Sequence, residues 1–165
     1  MFMKIIFIVA GVLVGIILII TGIGYCLPVS HVASRSKFFQ ANSIQIWKTI
    51  SDFKEYPSWR RSIKRIESTG QDSWSEFDNR GNKIEYKLEM IELGKLWKTT
   101  IVSKDLPFGG NWIFRMDTKE DKTQLTIIEK GEVYNPVFRF VSRFIMGHTS
   151  TIDAYLADLD SKLEE

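Results

Sequence analysis

The chain has 165 residues, with 22 basic and 20 acidic side chains, a net charge of +2 and one cysteine. Charge this evenly balanced speaks against a nucleic-acid binder, which carries a basic excess on one face. Two histidines and one cysteine give no zinc-site spacing, Gly109-Gly110 lacks the lysine and helix of a phosphate-cradling loop, and Ser150 has no nucleophile-elbow context, so no metal and no other cofactor is expected.

The chain opens on a charge-free apolar run from Ile5 to Leu27. As a helix it extends roughly 34 Å at about 1.5 Å per residue, which matches a hydrocarbon layer of about 30 Å, and a helix satisfies every backbone polar group within lipid. A cleaved signal peptide has an apolar region of only about 7 to 15 residues, and bulky Tyr25 before Cys26 does not suit a lipoprotein signal. Residues 1–28 therefore read as a retained transmembrane anchor and 29–165 as one domain, in a chain too short for two sizeable cores after the anchor. Gly11 and Gly15 form a small-xxx-small pair through which two anchors could dimerise weakly, although glycine is common in membrane helices. Lys4 on one side and Arg35 and Lys37 on the other leave the positive-inside rule nearly balanced. The short head ending in Lys4 resembles a signal anchor, which tips the reading toward a single-pass protein of the cell membrane with its domain outside the cytoplasm.

Val32 to Phe39 predicts a first strand, with Val32, Ser34, Ser36 and Phe38 on one face. Asn42 or Ser43 then caps a short helix with apolar Ile44, Ile46, Trp47 and Ile50, and Phe53, Tyr56, Pro57 and Trp59 make an aromatic turn that Pro57 keeps from continuing as helix. From Ile63 the period changes to two. Ile63 to Ser68 and Trp74 to Asp78 are short strands, and Asn79-Arg80-Gly81-Asn82 is a hairpin signal. Ile84, Tyr86, Leu88 and Met90 then alternate with Glu85, Lys87 and Glu89. Leu96 to Ser103 follows, then a turn at Leu106 to Gly110, then Trp112, Phe114 and Met116 facing one way. After a charged turn at Lys119 to Lys122, the strand Thr123 to Val133 points Leu125, Ile127, Glu129, Gly131 and Val133 together. Short connections mean antiparallel neighbours. Last, Asn135 caps and Pro136 starts one long helix of about 40 Å, on whose stripe lie Val137, Val141, Phe144, His148, Ile152, Tyr155 or Leu156, Leu159 and Leu163.

That order, with Ile46-Trp47, Ile50-Ser51-Asp52-Phe53, Tyr56-Pro57, Trp59, Leu125-Thr126-Ile127, Glu129, Gly131 and Asn135-Pro136 through Phe144, resembles the START-like (SRPBCC) superfamily. Its polyketide cyclase/dehydrase and lipid-transport subgroup fits best, over roughly residues 32–163. The resemblance implies an α+β helix-grip fold, a seven-stranded antiparallel sheet curled around the C-terminal helix, with a cavity between them for an apolar ligand. The transmembrane helix is an addition that many members lack.

The apolar inner wall predicted from the strands includes Tyr86, Leu88, Met90, Trp112, Phe114 and Met116. From the helix, Phe144, Ile152 and Tyr155 would face it. Taken singly, most of these read as packed core; taken together, a bent sheet and one helix leave space for a ligand. Two polar residues share that surface, Glu129 and His148, as candidate ligand-binding and catalytic residues that could move protons beside a carbonyl. The plainer reading, which is favoured, puts Glu129 in water at the cavity mouth and His148 on a backbone carbonyl. Arg60, Arg61, Lys64 and Arg65 form a basic cluster, usually a solvated face and alternatively a contact for anionic head groups.

The expected function is membrane-tethered binding or transfer of a hydrophobic small molecule or lipid, without covalent chemistry. A cyclase/dehydrase-type enzyme is the second reading. A protein-interaction module with a filled interior is the third.

Overall fold

The computed structural model describes residues 2–119 and 122–165; the middle of the charged turn expected at Lys119 to Lys122 lies outside the described residues. Helix α1 (Phe2–Cys26) is long and apolar enough to cross a membrane. Its side chains face away from the rest of the protein until its last turn, where Gly24 is buried. Strand β1 (Ser30–Phe39) follows after a three-residue connection, Leu27 to Val29. Then come α2 (Ser43–Ser51), a single 3-10 turn at Phe53–Glu55, and the one-turn α3 (Tyr56–Trp59). Asn42 caps α2 by accepting a hydrogen bond from the Gln45 amide at 2.9 Å.

Among the described residues, the other six strands are β2 (Ile63–Ser68), β3 (Ser73–Asp78), β4 (Lys83–Glu92), β5 (Leu96–Ile101), β6 (Phe108–Lys119) and β7 (Lys122–Val133). They join β1 in one sheet of order β1-β7-β6-β5-β4-β3-β2, antiparallel throughout. Consecutive strands from β2 to β7 are neighbours, as their short connections require, and β1 closes on β7 from the other end of the chain. The first strand begins two residues before the expected Val32, and its inward face is the odd one. Ala33 and Phe39 are buried while Val32 and Phe38 are exposed. The turn expected at Leu106 to Gly110 is shorter too, because β6 already pairs with β7 from Phe108.

The concave face of the sheet is covered by α5 (Ser150–Leu163), which buries Ile152, Tyr155, Leu156 and Leu159. These meet Leu125 and Ile127 of β7, Trp97 of β5 and Ile46 of α2 in one core. Burying a large apolar side chain of this kind stabilises by about 1.5–3 kcal/mol. The high aromatic content has a structural reason: Trp47 and Phe114 pack against Trp97, while Phe53 and Tyr86 sandwich Trp74.

The C-terminal helix is not the single rod that the periodicity predicts. Asn135 caps α4 (Pro136–Val141) by accepting from the Val137 and Phe138 amides. A wide π-type turn follows at Ser142–Met146, and Gly147 leaves the helix altogether with φ of 76°. That value favours a residue without a Cβ, so α5 starts afresh at Ser150. As helix it is only about 21 Å long.

Candidate ligand-binding cavity

Between the sheet, α3, α5 and the segment around α4 lies a cavity of about 550 Å³. Its walls come from Trp74 of β3, Tyr86 of β4, Thr99 of β5, Trp112 and Phe114 of β6, and Tyr155 of α5. The volume and the aromatic lining are those of a small-molecule site. Polar side chains gather at its two ends.

At one end, Arg60 Nη1 donates to Glu76 Oε1 at 2.6 Å, and Trp74 Nε1 donates to the same oxygen at 3.1 Å. The side chain of Glu76 is only 6% exposed. The Arg60 guanidinium lies over the rings of Tyr56 and Tyr155, at 4.8 and 5.2 Å from their centroids. Burial works most strongly against the charge on Arg60; Glu76, with smaller contributions from Tyr56, Tyr155 and Tyr86, together outweighs it, so the guanidinium stays charged. Burial also holds the hydroxyls of Tyr56, Tyr86 and Tyr155 well above the ordinary phenol range, so they remain donors. The Tyr56 hydroxyl donates to the Ile50 carbonyl at 2.8 Å. That of Tyr155 is buried near it and, among the described residues, makes no hydrogen bond of good geometry.

At the other end, His31 Nε2 donates to Glu129 Oε1 at 2.9 Å, and Trp112 Nε1 donates to Glu129 Oε2 at 2.6 Å. The His148 ring stacks on that of His31, centroids 3.9 Å apart. Gly131 makes room for this, since a Cβ there would collide with the His31 ring. Burial pushes the His148 imidazole below its ordinary value of 6.5; His31 and Arg143 push the same way, against an opposing pull from Glu129. His148 Nδ1 is buried and has no hydrogen-bond partner among the described residues.

Of the wall predicted from sequence, Tyr86, Trp112, Phe114, Glu129, His148 and Tyr155 line the cavity. The other five do not. Met116 and Ile152 are buried in the core beneath it, Leu88 packs against that core, and Met90 is more than a third exposed. Phe144 points outward because the π turn rotates it off the α5 stripe. Glu129 and His148 both reach the cavity and do not bond each other; His31 stands between them. Both Glu129 oxygens hold protein donors, and His148 Nδ1 does not find the expected backbone carbonyl among the described residues.

Sequence reasoning missed His31, Arg60 and Glu76. The alternation of β3 carried a signal, since Glu76 shares a face with Trp74. Extending β1 to Ser30 would have put His31 in register with Ala33 and Phe39. Of the basic cluster, Arg61, Lys64 and Arg65 are exposed, as a solvated face requires, and Arg60 alone turns inward. Arg60 is buried on Glu76, Arg61 pairs with Asp158 at 2.5 Å, and Arg65 pairs with Glu67 and lies on the Phe77 ring.

No protein-family model matches the chain, and no curated protein does either. Solved structures match it in fold. A START superfamily protein from Mycobacterium smegmatis superimposes with a TM-score of 0.67 at 17% identity, covering 81% of this chain and 97% of its own. A conserved protein from Geobacillus kaustophilus gives 0.69 at 14%, covering 81% and 95%. Norcoclaurine synthase from Thalictrum flavum gives 0.65 at 16%, covering 83% and 88%. The domain has the START-like fold, with an apolar N-terminal helix added.

Proposed function

We propose that this protein binds a hydrophobic small molecule or lipid with a few polar groups, holding it beside the membrane in which α1 is anchored. The observation that carries this reading is the aromatic-walled cavity of about 550 Å³ with polar side chains at both ends. Apolar walls supply affinity through surface removed from water, and sparse polar groups orient the ligand. The Arg60–Glu76 pair cancels its own charge, so that end suits a neutral hydroxyl or carbonyl better than an anion. Residues 1–28 serve as the anchor and 29–165 as the binding domain, which we place outside the cytoplasm, with Lys4 on the opposite side of the bilayer. Native mass spectrometry of protein extracted gently from membranes tests the reading. A bound small molecule released on unfolding is expected; a protein that is always empty and takes up no apolar probe would refute it.

One observation favours a second reading, an enzyme. His148 carries a free, buried Nδ1 beside a histidine already fixed by Glu129, which is the arrangement of a base held ready. On this fold, Thalictrum flavum norcoclaurine synthase has been crystallised in complex with dopamine and hydroxybenzaldehyde. If His148 acts on the ligand, a His148→Ala variant should retain a molecule of different mass from that held by the wild type. A binding protein would retain the same one.

A further inference from the structure

We infer that residues 138–146 form a gate seated in the head-group layer of the bilayer that α1 spans, covering the membrane-side mouth of the cavity. An apolar ligand would then pass between lipid and cavity without crossing bulk water. The inference rests on reading α1 as a membrane span and the cavity as a ligand site.

Position comes first. Gly24, in the last turn of α1, lies so close to Pro136 that a Cβ there would overlap the proline carbonyl. Arg139, itself buried, donates from Nη1 to the Leu27 carbonyl at 2.8 Å and from Nη2 to the Tyr134 carbonyl at 3.2 Å. Its guanidinium lies 6.0 Å from the Tyr25 ring. Helix α4 is thereby fixed against the end of α1, at the depth where an apolar span of this length leaves the hydrocarbon.

Exposure comes second. Phe138 is 48% exposed, Phe144 59%, Ile145 70% and Met146 60%. Apolar side chains clustered this way mark a membrane or protein contact. The patch belongs to the segment held against the end of α1, where exposed Tyr25 lies beside Arg139, and this nearness to the bare apolar surface of α1 selects lipid. Tyrosines at this level suit the interfacial belt, and exposed Arg143 is placed for lipid phosphate.

The same segment is also a wall. Phe138, Val141, Ser142 and Met146 line the cavity, so Phe138 and Met146 touch both sides of it. The π turn and Gly147 interrupt the helix here, which lets the segment shift without unseating α5. One strip of chain thus separates the ligand space from the outside, and its outer face is greasy.

The experiment uses the full chain with Cys26→Ser, in phosphatidylcholine vesicles containing phosphatidylglycerol, with bimane on a single introduced cysteine. Bimane at Ile145→Cys should be quenched at least two-fold by lipid carrying a doxyl group near the head and should resist aqueous iodide. A probe at Ser58→Cys, beyond the Arg60 end, should do the reverse. If the Ile145 probe behaves like that at Ser58 while a Leu13→Cys probe is quenched from within the bilayer, the gate is refuted with the anchor intact. If the Leu13 probe escapes as well, the span reading fails and takes the gate with it. A Phe144→Asp/Ile145→Asp variant, altered outside the cavity wall, tests passage. It should bind 1-aminoanthracene in detergent like the wild type, yet take it up from preloaded vesicles at least ten-fold more slowly. Equal uptake rates would overturn the gate. A wild type that binds no probe in detergent would bring down the cavity reading and the gate together.

Discussion

The two ends of the cavity are built on opposite plans. At the Arg60 end, each charged or aromatic group is held by another: Glu76 accepts from Arg60 and Trp74, and tyrosine rings flank the guanidinium. At the end nearer α1, the cover is a broken helix with bulky apolar side chains in the open and an imidazole nitrogen without a partner among the described residues. A buried, hydrogen-bonded ion pair in low dielectric is rigid, whereas elements with few buried contacts open at low free-energy cost. On the proposed gating, one end holds shape and the other admits.

The sharpest way to break this contrast is at the rigid end. Glu76→Ala leaves a buried guanidinium without its counter-charge and should cost about 3–5 kcal/mol. For a chain of this size that lowers Tm by roughly 10 °C. A calorimetric Tm within a degree or two of the wild type would mean the pair is not a structural clamp.

The next effect lies at the junction. Arg139→Met removes two charge-assisted hydrogen bonds, to Leu27 and Tyr134, for about 2 kcal/mol. Amide exchange across residues 136–146 should accelerate while that of β6 and β7 stays put. Unchanged exchange would show α4 to be held by apolar packing alone.

A smaller effect follows from pH. The folded state holds His148 below its ordinary value of 6.5, so the unfolded chain takes up that proton first as pH falls. The His148 contribution is therefore intact above about pH 7, is lost as pH drops through 6.5, and levels off below the depressed folded value. Chemical denaturation at pH 7 and pH 5 should show this loss in the wild type, and His148→Gln should shrink it. An unaltered difference would assign the pH response to other groups.

The smallest expected effect is Phe144→Ala, within about 0.5 kcal/mol, since its ring is largely outside the core. A loss of several kcal/mol would mean that the gate segment is packed as tightly as the rest.

Strand alternation made the sheet legible. Ile84, Tyr86 and Leu88 on β4 and Leu125, Ile127 and Glu129 on β7 show their inner faces in sequence, because a sheet with one buried side enforces period two. The cavity wall followed from those faces, and so did Glu129. The helix break was hidden because apolar residues continue at spacings of three and four through Gly147, and a lone glycine is also compatible with a continuous helix. His31, Arg60 and Glu76 were hidden for another reason. A charged residue reads as surface until its partner is known, and His31 and Glu129 meet across the β1–β7 pairing that joins the two ends of the domain.

The connection from Cys26 to Ser30 is three residues, Leu27, Pro28 and Val29, which even fully stretched reach only about 10 Å. Once α1 is seated in lipid, the domain cannot swing across a gap to a second membrane as a shuttle must. On the proposed function, a ligand would be collected from its own leaflet and surrendered at the same spot, to a diffusing acceptor that comes alongside. Selection in such a device falls on what can dock next to it rather than on how far it travels.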